Sequence, residues 1–257
     1  MRHLVGFFDS GIGGISVLTC AKSHMSNCDF IYYADTDNVP YGTKTKEQIL
    51  NYCRTAFDFF ASQKVDAVVI ACNTATSMAV EEMRKEYHFP IVGMEPALRP
   101  AFMNKDNSKI LVTATPATIS GNKLHKLIDD LGADPSLVAL PELVLLAEKS
   151  DFSKKSAIKY LSQMIASPEQ YDAVVLGCTH FTYFRDSFGE YFKNAEIIDG
   201  NIGTVKHLCS VLNLDYDETS EFSSNVTYYC SGRIITDQNL LAHFNELSQR
   251  YINLNIW

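Results

Sequence analysis

Short runs of apolar residues alternate along the chain with longer stretches in which apolar positions recur every three or four residues. Runs of the first kind read as buried strands and stretches of the second kind as amphipathic helices. Their alternation predicts an α/β fold with mainly parallel sheets. The expected strands are Leu4 to Phe8, Phe30 to Ala34, Ala67 to Ala71, Ile91 to Val92, Ile110 to Thr113, Leu137 to Leu140, Ala173 to Leu176, Glu196 to Ile198 and Val226 to Tyr229. Helices are expected over Ser16 to His24, Thr45 to Gln63, Thr76 to Tyr87, Gly121 to Asp130, Ser153 to Ser167 and Gln238 to Tyr251.

The pattern also repeats. Residues 66–74, Asp-Ala-Val-Val-Ile-Ala-Cys-Asn-Thr, read against residues 172–180, Asp-Ala-Val-Val-Leu-Gly-Cys-Thr-His, with identity at five positions. The offset is 106 residues, and the same shift lays His3 to Gly6 on Lys109 to Val112 and Asp9-Ser10 on Thr115-Pro116. Two pseudo-symmetric α/β lobes follow, each with a polar turn after its first strand and a cysteine at the end of a later one. Ligands of open α/β sheets sit beyond the carboxyl ends of the strands, so the expected site lies between the lobes with Cys72 and Cys178 on opposite sides of one small molecule.

Composition narrows the possibilities. At 257 residues, with 46% hydrophobic and 20% charged residues, the chain has the make-up of a folded globular protein. No apolar stretch approaches the roughly 18 residues of a membrane helix, and the N-terminus lacks the apolar core of a signal peptide, so a cytoplasmic location is expected. Twenty-two Lys and Arg against 30 Asp and Glu give a net charge of −8 without any dense basic run, which argues against a nucleic-acid partner. Seven cysteines without a Cys-x-x-Cys pair predict free thiols and no metal site. Asn225-Val226-Thr227 matches a glycosylation acceptor by chance.

Five of the cysteines, at 20, 28, 53, 209 and 230, read as small buried hydrophobes. Cys72 and Cys178 differ, because each is followed by hydroxyl or amide residues at the start of an expected helix: Asn73, Thr74 and Thr76 after the first, Thr179 and His180 after the second. Backbone N–H groups there can hold a carboxylate and favour a thiolate. Two like groups on opposite faces of one carbon suit removal of a proton from one side and its return to the other, the chemistry of a racemase. Asp9 can orient an ammonium or take a proton near Cys72, and the glycines of residues 10–14 let backbone N–H groups approach an anion. The Gly11-x-Gly13-Gly14 spacing lacks the full dinucleotide fingerprint. Pro40-Tyr41-Gly42 reads as a rigid turn, and Thr115 and Thr118 flank the corresponding turn of the second lobe. His180 can set the protonation of Cys178. No Lys or Arg lies in these motifs, so an anionic substrate would be held by neutral donors and helix N-termini.

Five segments in order resemble the signatures of the glutamate racemases: residues 8–14, residues 34–42, Ala71-Cys72-Asn73-Thr74-Ala75, Thr115-Pro116-Ala117-Thr118 and Leu176-Gly177-Cys178-Thr179-His180. The resemblance spans roughly residues 4–203. It implies a cofactor-independent, two-lobed enzyme that interconverts L- and D-glutamate, the D-isomer serving peptidoglycan, commonly as a homodimer. It implies that residues 208–257 return to a first lobe of residues 1–97, with residues 98–207 as the second. Cys72 would act on D-glutamate with help from Asp9, and Cys178 on L-glutamate with help from His180 and a glutamate best matched by Glu148. Substrate contacts would come from Asp9, Ser10, Pro40, Tyr41, Gly42, Cys72, Asn73, Thr74, Thr115, Thr118, Cys178, Thr179 and His180. Phe181, Thr182 and Met94-Glu95-Pro96 depart from the usual pattern and touch pocket shape rather than catalytic groups. The last 50 residues carry no usable motif.

Three other readings stay open at this stage. One is racemisation of aspartate or another small acid on the same fold. A second is a thiol hydrolase with Cys178 as nucleophile and His180 as base, although side chains two residues apart at a strand end need not meet and Cys72 would be left idle. The third is a two-lobed amino-acid receptor. A pyridoxal enzyme would need a Schiff-base lysine, and none sits in a motif.

Overall fold

The structure is a computed structural model that describes residues 2–103, 109–217 and 224–254. The chain opens with β1 (His3–Asp9), α1 (Ile15–His24), β2 (Cys28–Ala34), α2 (Lys46–Gln63), β3 (Ala67–Ile70), α3 (Asn73–Glu86) and β4 (Ile91–Gly93). It continues through α4 (Leu98–Met103), β5 (Ile110–Ala114), α5 (Pro116–Ile119), α6 (Asn122–Leu131), β6 (Ser136–Ala139), α7 (Pro141–Glu148), α8 (Lys154–Met164), β7 (Ala173–Gly177), α9 (Arg185–Phe192) and β8 (Glu196–Ile198). It closes with α10 (Asn201–Leu212), β9 (Val226–Cys230), β10 (Arg233–Ile234) and α11 (Gln238–Leu254). Short stretches of 3-10 helix, one turn at Tyr41–Thr43 and two at Thr179–Phe184, border the site described below.

These strands form two sheets, ordered β10-β9-β2-β1-β3-β4 and β6-β5-β7-β8, parallel throughout except for the β9–β10 pair. Each sheet is covered on both faces, which is why its strands are nearly continuous runs of Val, Ile, Leu and Phe. Alternate residues of β1 feed different cores: Val5 and Phe7 pack with α1, α10 and α11, while Phe8 packs with Tyr41, Phe57 and Phe60. The second sheet is enclosed in the same way, with Leu111, Val174 and Leu176 on one side and Ile110, Val112 and Val175 on the other.

The order β2-β1-β3-β4 recurs as β6-β5-β7-β8, so the two lobes share one topology. The register of the ladders corrects the correspondence of the first strands. Val5 pairs with Ala67 and Ile110 pairs with Ala173, so β3 and β7 match at an offset of 106 while β1 and β5 match at 105. Asp9 therefore corresponds to Ala114 and Ser10 to Thr115, not to Thr115 and Pro116. A one-residue slip in a strand turns every side chain to the opposite face, and the corrected register sets apolar Ala114 opposite Asp9, leaving it without a polar counterpart in the second lobe.

Five helices, α4, α5, α7, α9 and α10, fall where the sequence pattern predicts none. Helix α3 begins at Asn73 rather than Thr76, because Cys72 itself caps it. No helix among the described residues is long and apolar enough to cross a membrane.

Candidate active site

The carboxyl ends of β1, β3, β5 and β7 converge on one cavity of about 60 Å³, the size of a few water molecules or a compact small ligand at ~10–15 Å³ per water-sized sphere. Both Cys72 and Cys178 line it, one from each lobe, and both are 6% exposed. The Cys72 thiol donates to Ser10 Oγ at 3.6 Å, and its sulfur accepts from the Ala75 backbone N–H at 3.4 Å. Cys178 Sγ lies 3.7 Å from His180 Nδ1. Ser10, Pro40, Tyr41, Gly42, Asn73, Thr74, Thr115, Thr179 and His180 also line the cavity.

Pattern reasoning missed the apolar wall supplied by Pro141, Val144 and Leu145. These residues lie on α7, whose run of Leu and Val reads only as a short apolar segment until Pro141 is recognised as a first-turn residue.

Asp9 and Glu148 are close but do not line the cavity. Asp9 is fully buried; its Oδ1 accepts from Gly11 N–H at 2.9 Å and its Oδ2 from Thr179 Oγ1 at 3.1 Å. A direct contact between Asp9 and a substrate ammonium is therefore not the geometry found, because both oxygens are held by protein donors. Glu148 stands behind His180, with Oε1 2.6 Å from Nε2. Thr118 is also set back, within 3.2 Å of Thr74 Oγ1 and 3.0 Å of Thr115 Oγ1, while Thr74 and Thr115 meet across the lobes at 2.7 Å.

The glycine loop after β1 cradles an anion, but the anion is a protein carboxylate. Ile12 N–H donates to Glu148 Oε1 at 3.1 Å. A Cβ on Gly11 would fall 2.0 Å from Glu148 Oε1, and one on Gly13 would fall 2.2 Å from Thr179 Oγ1. The glycines thus permit the close approach of two polar side chains from the second lobe. Tyr41 is similarly committed: its hydroxyl donates to Asp35 Oδ2 at 2.6 Å, and Ser231 Oγ holds the other carboxylate oxygen at 2.9 Å. Asp35 falls in a segment of the family resemblance, yet spacing alone gives it no role.

Charge is arranged asymmetrically around the two thiols. Burial, reinforced by the neighbouring Asp9 carboxylate, pushes the Cys72 thiol up to about 12. The thiolate expected there from the helix N-terminus is thus opposed, because burial outweighs the donated N–H. Burial raises Asp9 to about 6, against the opposing influence of His180. For His180 burial favours the neutral ring, but hydrogen bonds with Cys178 and Glu148 hold its pKa well above the ordinary histidine value. Glu148 is also buried, yet the bond from His180 keeps its carboxyl below the usual range. The pair is best described as imidazolium and carboxylate. Cys178, His180 and Glu148 do meet in a chain, although side chains two residues apart at a strand end need not. Among the described residues, no group of three or more His, Cys, Asp or Glu is arranged to hold a metal ion.

A profile of the Asp/Glu/hydantoin racemase family matches residues 16–208. The chain is 45% identical over 244 residues to a glutamate racemase of Campylobacter concisus, covering 92% of this chain and 93% of the relative. It is 42% identical to glutamate racemase 2 of Bacillus subtilis, covering 95% and 94% of the two chains. The crystal structure of glutamate racemase from Campylobacter jejuni superposes with a TM-score of 0.82 at 30% identity, covering 99% of this chain and all of that one.

Proposed function

Because the chain belongs to the Asp/Glu racemase family, in its glutamate racemase branch, we propose that it interconverts L- and D-glutamate by two-base proton transfer at Cα, without a cofactor. The observation that carries this reading is the pair of cysteines, brought from equivalent strand ends of two like lobes to one small cavity. A substrate carboxylate would be held by the hydroxyls of Ser10, Thr74 and Thr115 and by backbone N–H groups at the start of α3. Asn73 Oδ1, buried without a hydrogen-bond partner among the described residues, is an acceptor suited to the ammonium.

In this reading Cys178 takes the Cα proton of L-glutamate while the Cys72 thiol delivers one to the opposite face, and the reverse reaction exchanges the roles. The high pKa of Cys72 fits a residue that rests as the acid. Once deprotonated it is a strong base, and a substrate ammonium in the cavity would offset the cost of burying its charge. His180 touches Cys178 and can exchange a proton with it. Glu148 positions His180, and Asp9 positions Thr179 and the glycine loop. The D-glutamate formed would supply peptidoglycan, and we place the reaction in the cytoplasm.

A hydrolase built on Cys178, His180 and Glu148 gains support from their contact but gives no task to Cys72. The discriminating experiment incubates protein dialysed against a chelator with each enantiomer of glutamate and aspartate. Conversion of both glutamate enantiomers, with aspartate unchanged and no requirement for added pyridoxal phosphate or metal, is expected. Preferential conversion of aspartate, or strict dependence on a supplement, would contradict the proposal.

A further inference from the structure

We infer that Arg250, on the C-terminal helix, is a positioning residue for the Cys178 half of the reaction, holding the segment that carries His180. The inference rests on the racemase reading above. Helix α11 belongs to the core of the first sheet through Phe244, Leu247 and Tyr251. Its Arg250 nevertheless reaches the second lobe. Arg250 Nε donates to the Tyr183 carbonyl at 2.9 Å, the guanidinium lies over the Phe152 ring 4.7 Å from its centroid, and Nη2 is 3.7 Å from Asp186 Oδ1. Two turns earlier on the same face, His243 Nε2 lies 3.2 Å from Ser150 Oγ. The helix therefore grips the second lobe at two points, one three residues beyond His180 and the other two residues beyond Glu148.

The first grip reaches the site through a short series of contacts. Tyr183 is fully buried in the turn Thr179–Phe184, and its hydroxyl donates to the Ile12 carbonyl at 3.2 Å. The N–H of Ile12 donates to Glu148, and Glu148 holds His180. Residue 12 is thus tied to the second lobe through both its N–H and its carbonyl. The Tyr183 carbonyl lies where the turn runs directly into α9 at Arg185, and Arg250 donates to it there. A planar guanidinium stacked on an aromatic ring and bonded to a carbonyl fixes direction as well as distance, which a lysine does less well. The Cys178–His180 separation of 3.7 Å leaves little slack for proton exchange.

Isotope effects separate positioning from general support. With [2-²H]-L-glutamate the labelled bond is broken on the Cys178 side, and with [2-²H]-D-glutamate on the Cys72 side. In Arg250→Met, kcat/KM is expected to fall about tenfold for both enantiomers, short of the roughly 100-fold that an ångström of misplacement can cost. The isotope effect on kcat/KM should rise for the L-substrate and fall for the D-substrate, because the Cys178 step becomes more rate-limiting. Arg250→Lys should restore part of the wild-type behaviour. Isotope effects that stay at wild-type values, or that change alike for both enantiomers, overturn the inference. If Arg250→Met does not fold, His243→Gln decides: the same asymmetry supports the inference, and its absence overturns it. Wild-type protein measured alongside tests the underlying reading separately, since failure to convert glutamate rejects the racemase itself rather than the role of Arg250.

Discussion

Replacing Cys72 by serine is expected to lower kcat by about 10²–10⁴-fold, the contribution of a positioned general acid or base. Serine preserves the size of the side chain and can keep the contacts with Ser10 and the Ala75 N–H, so the fold should survive. Its hydroxyl is a far weaker acid than a thiol and cannot take the thiol's part in either direction. Enantiomers in water have equal free energy, so kcat/KM must fall by the same factor from L- and from D-glutamate, although only one thiol is lost. Circular dichroism followed from both enantiomers measures this directly. Cys178→Ser should behave alike. A hydrolase built on Cys178 would be indifferent to Cys72, so a loss of less than tenfold in Cys72→Ser would count against the two-base reading.

The second large effect is expected at Glu148. Its carboxylate accepts from His180 Nε2 at 2.6 Å and from Ile12 N–H at 3.1 Å, joining the support of His180 to the glycine loop of the other lobe. In Glu148→Gln the side chain keeps its length and loses its charge, and kcat should fall roughly 100-fold as His180 loses its alignment. The pH dependence has a definite sign. Glu148 raises the pKa of His180, so removing the charge lowers it and the imidazolium is lost at a lower pH. The alkaline limb of kcat/KM should therefore move to lower pH than in the wild type. An alkaline limb that stays in place would show that His180 acts independently of Glu148.

Much of this architecture was legible because parallel strands covered on both faces must be apolar throughout. The nine expected strands all occur, since runs such as Ala67 to Ala71 and Ala173 to Leu176 leave little choice. The repeat between residues 66–74 and 172–180 correctly announced a recurring topology. Its extension to the first strands slipped by one residue, because hydrophobic similarity does not fix register when Val, Ile and Leu are interchangeable. Short helices were the other loss. Helices α5 and α7 begin at proline and have few turns in which periodicity can show, so the apolar wall of α7 went unseen.

The site divided along similar lines. Residues adjoining strand ends, such as Cys72, Thr74, Cys178 and His180, were found from local pattern because topology alone sends them to one edge. Positions that depend on contacts across the lobes were not. Nothing local to residues 10–14 indicates that Glu148, more than 130 residues away, is the anion their backbone receives. Asp9, Glu148 and Thr118 were drawn to the site by motif, but only the packed structure places them behind the cavity surface. Nor could spacing disclose that burial would outweigh the helix N-terminus at Cys72.

Heavy water gives the most direct test of the central claim, that two thiols address opposite faces of one carbon. Protein incubated with unlabelled L-glutamate in deuterium oxide would be sampled early, the enantiomers separated, and each analysed for Cα deuterium by mass spectrometry. Two-base transfer predicts D-glutamate carrying one solvent deuterium while the remaining L-glutamate is still protiated, with the mirror result when D-glutamate is supplied. D-glutamate that retains the original Cα proton, or equal early labelling of substrate and product, would contradict it, because either result requires a single group to serve both faces.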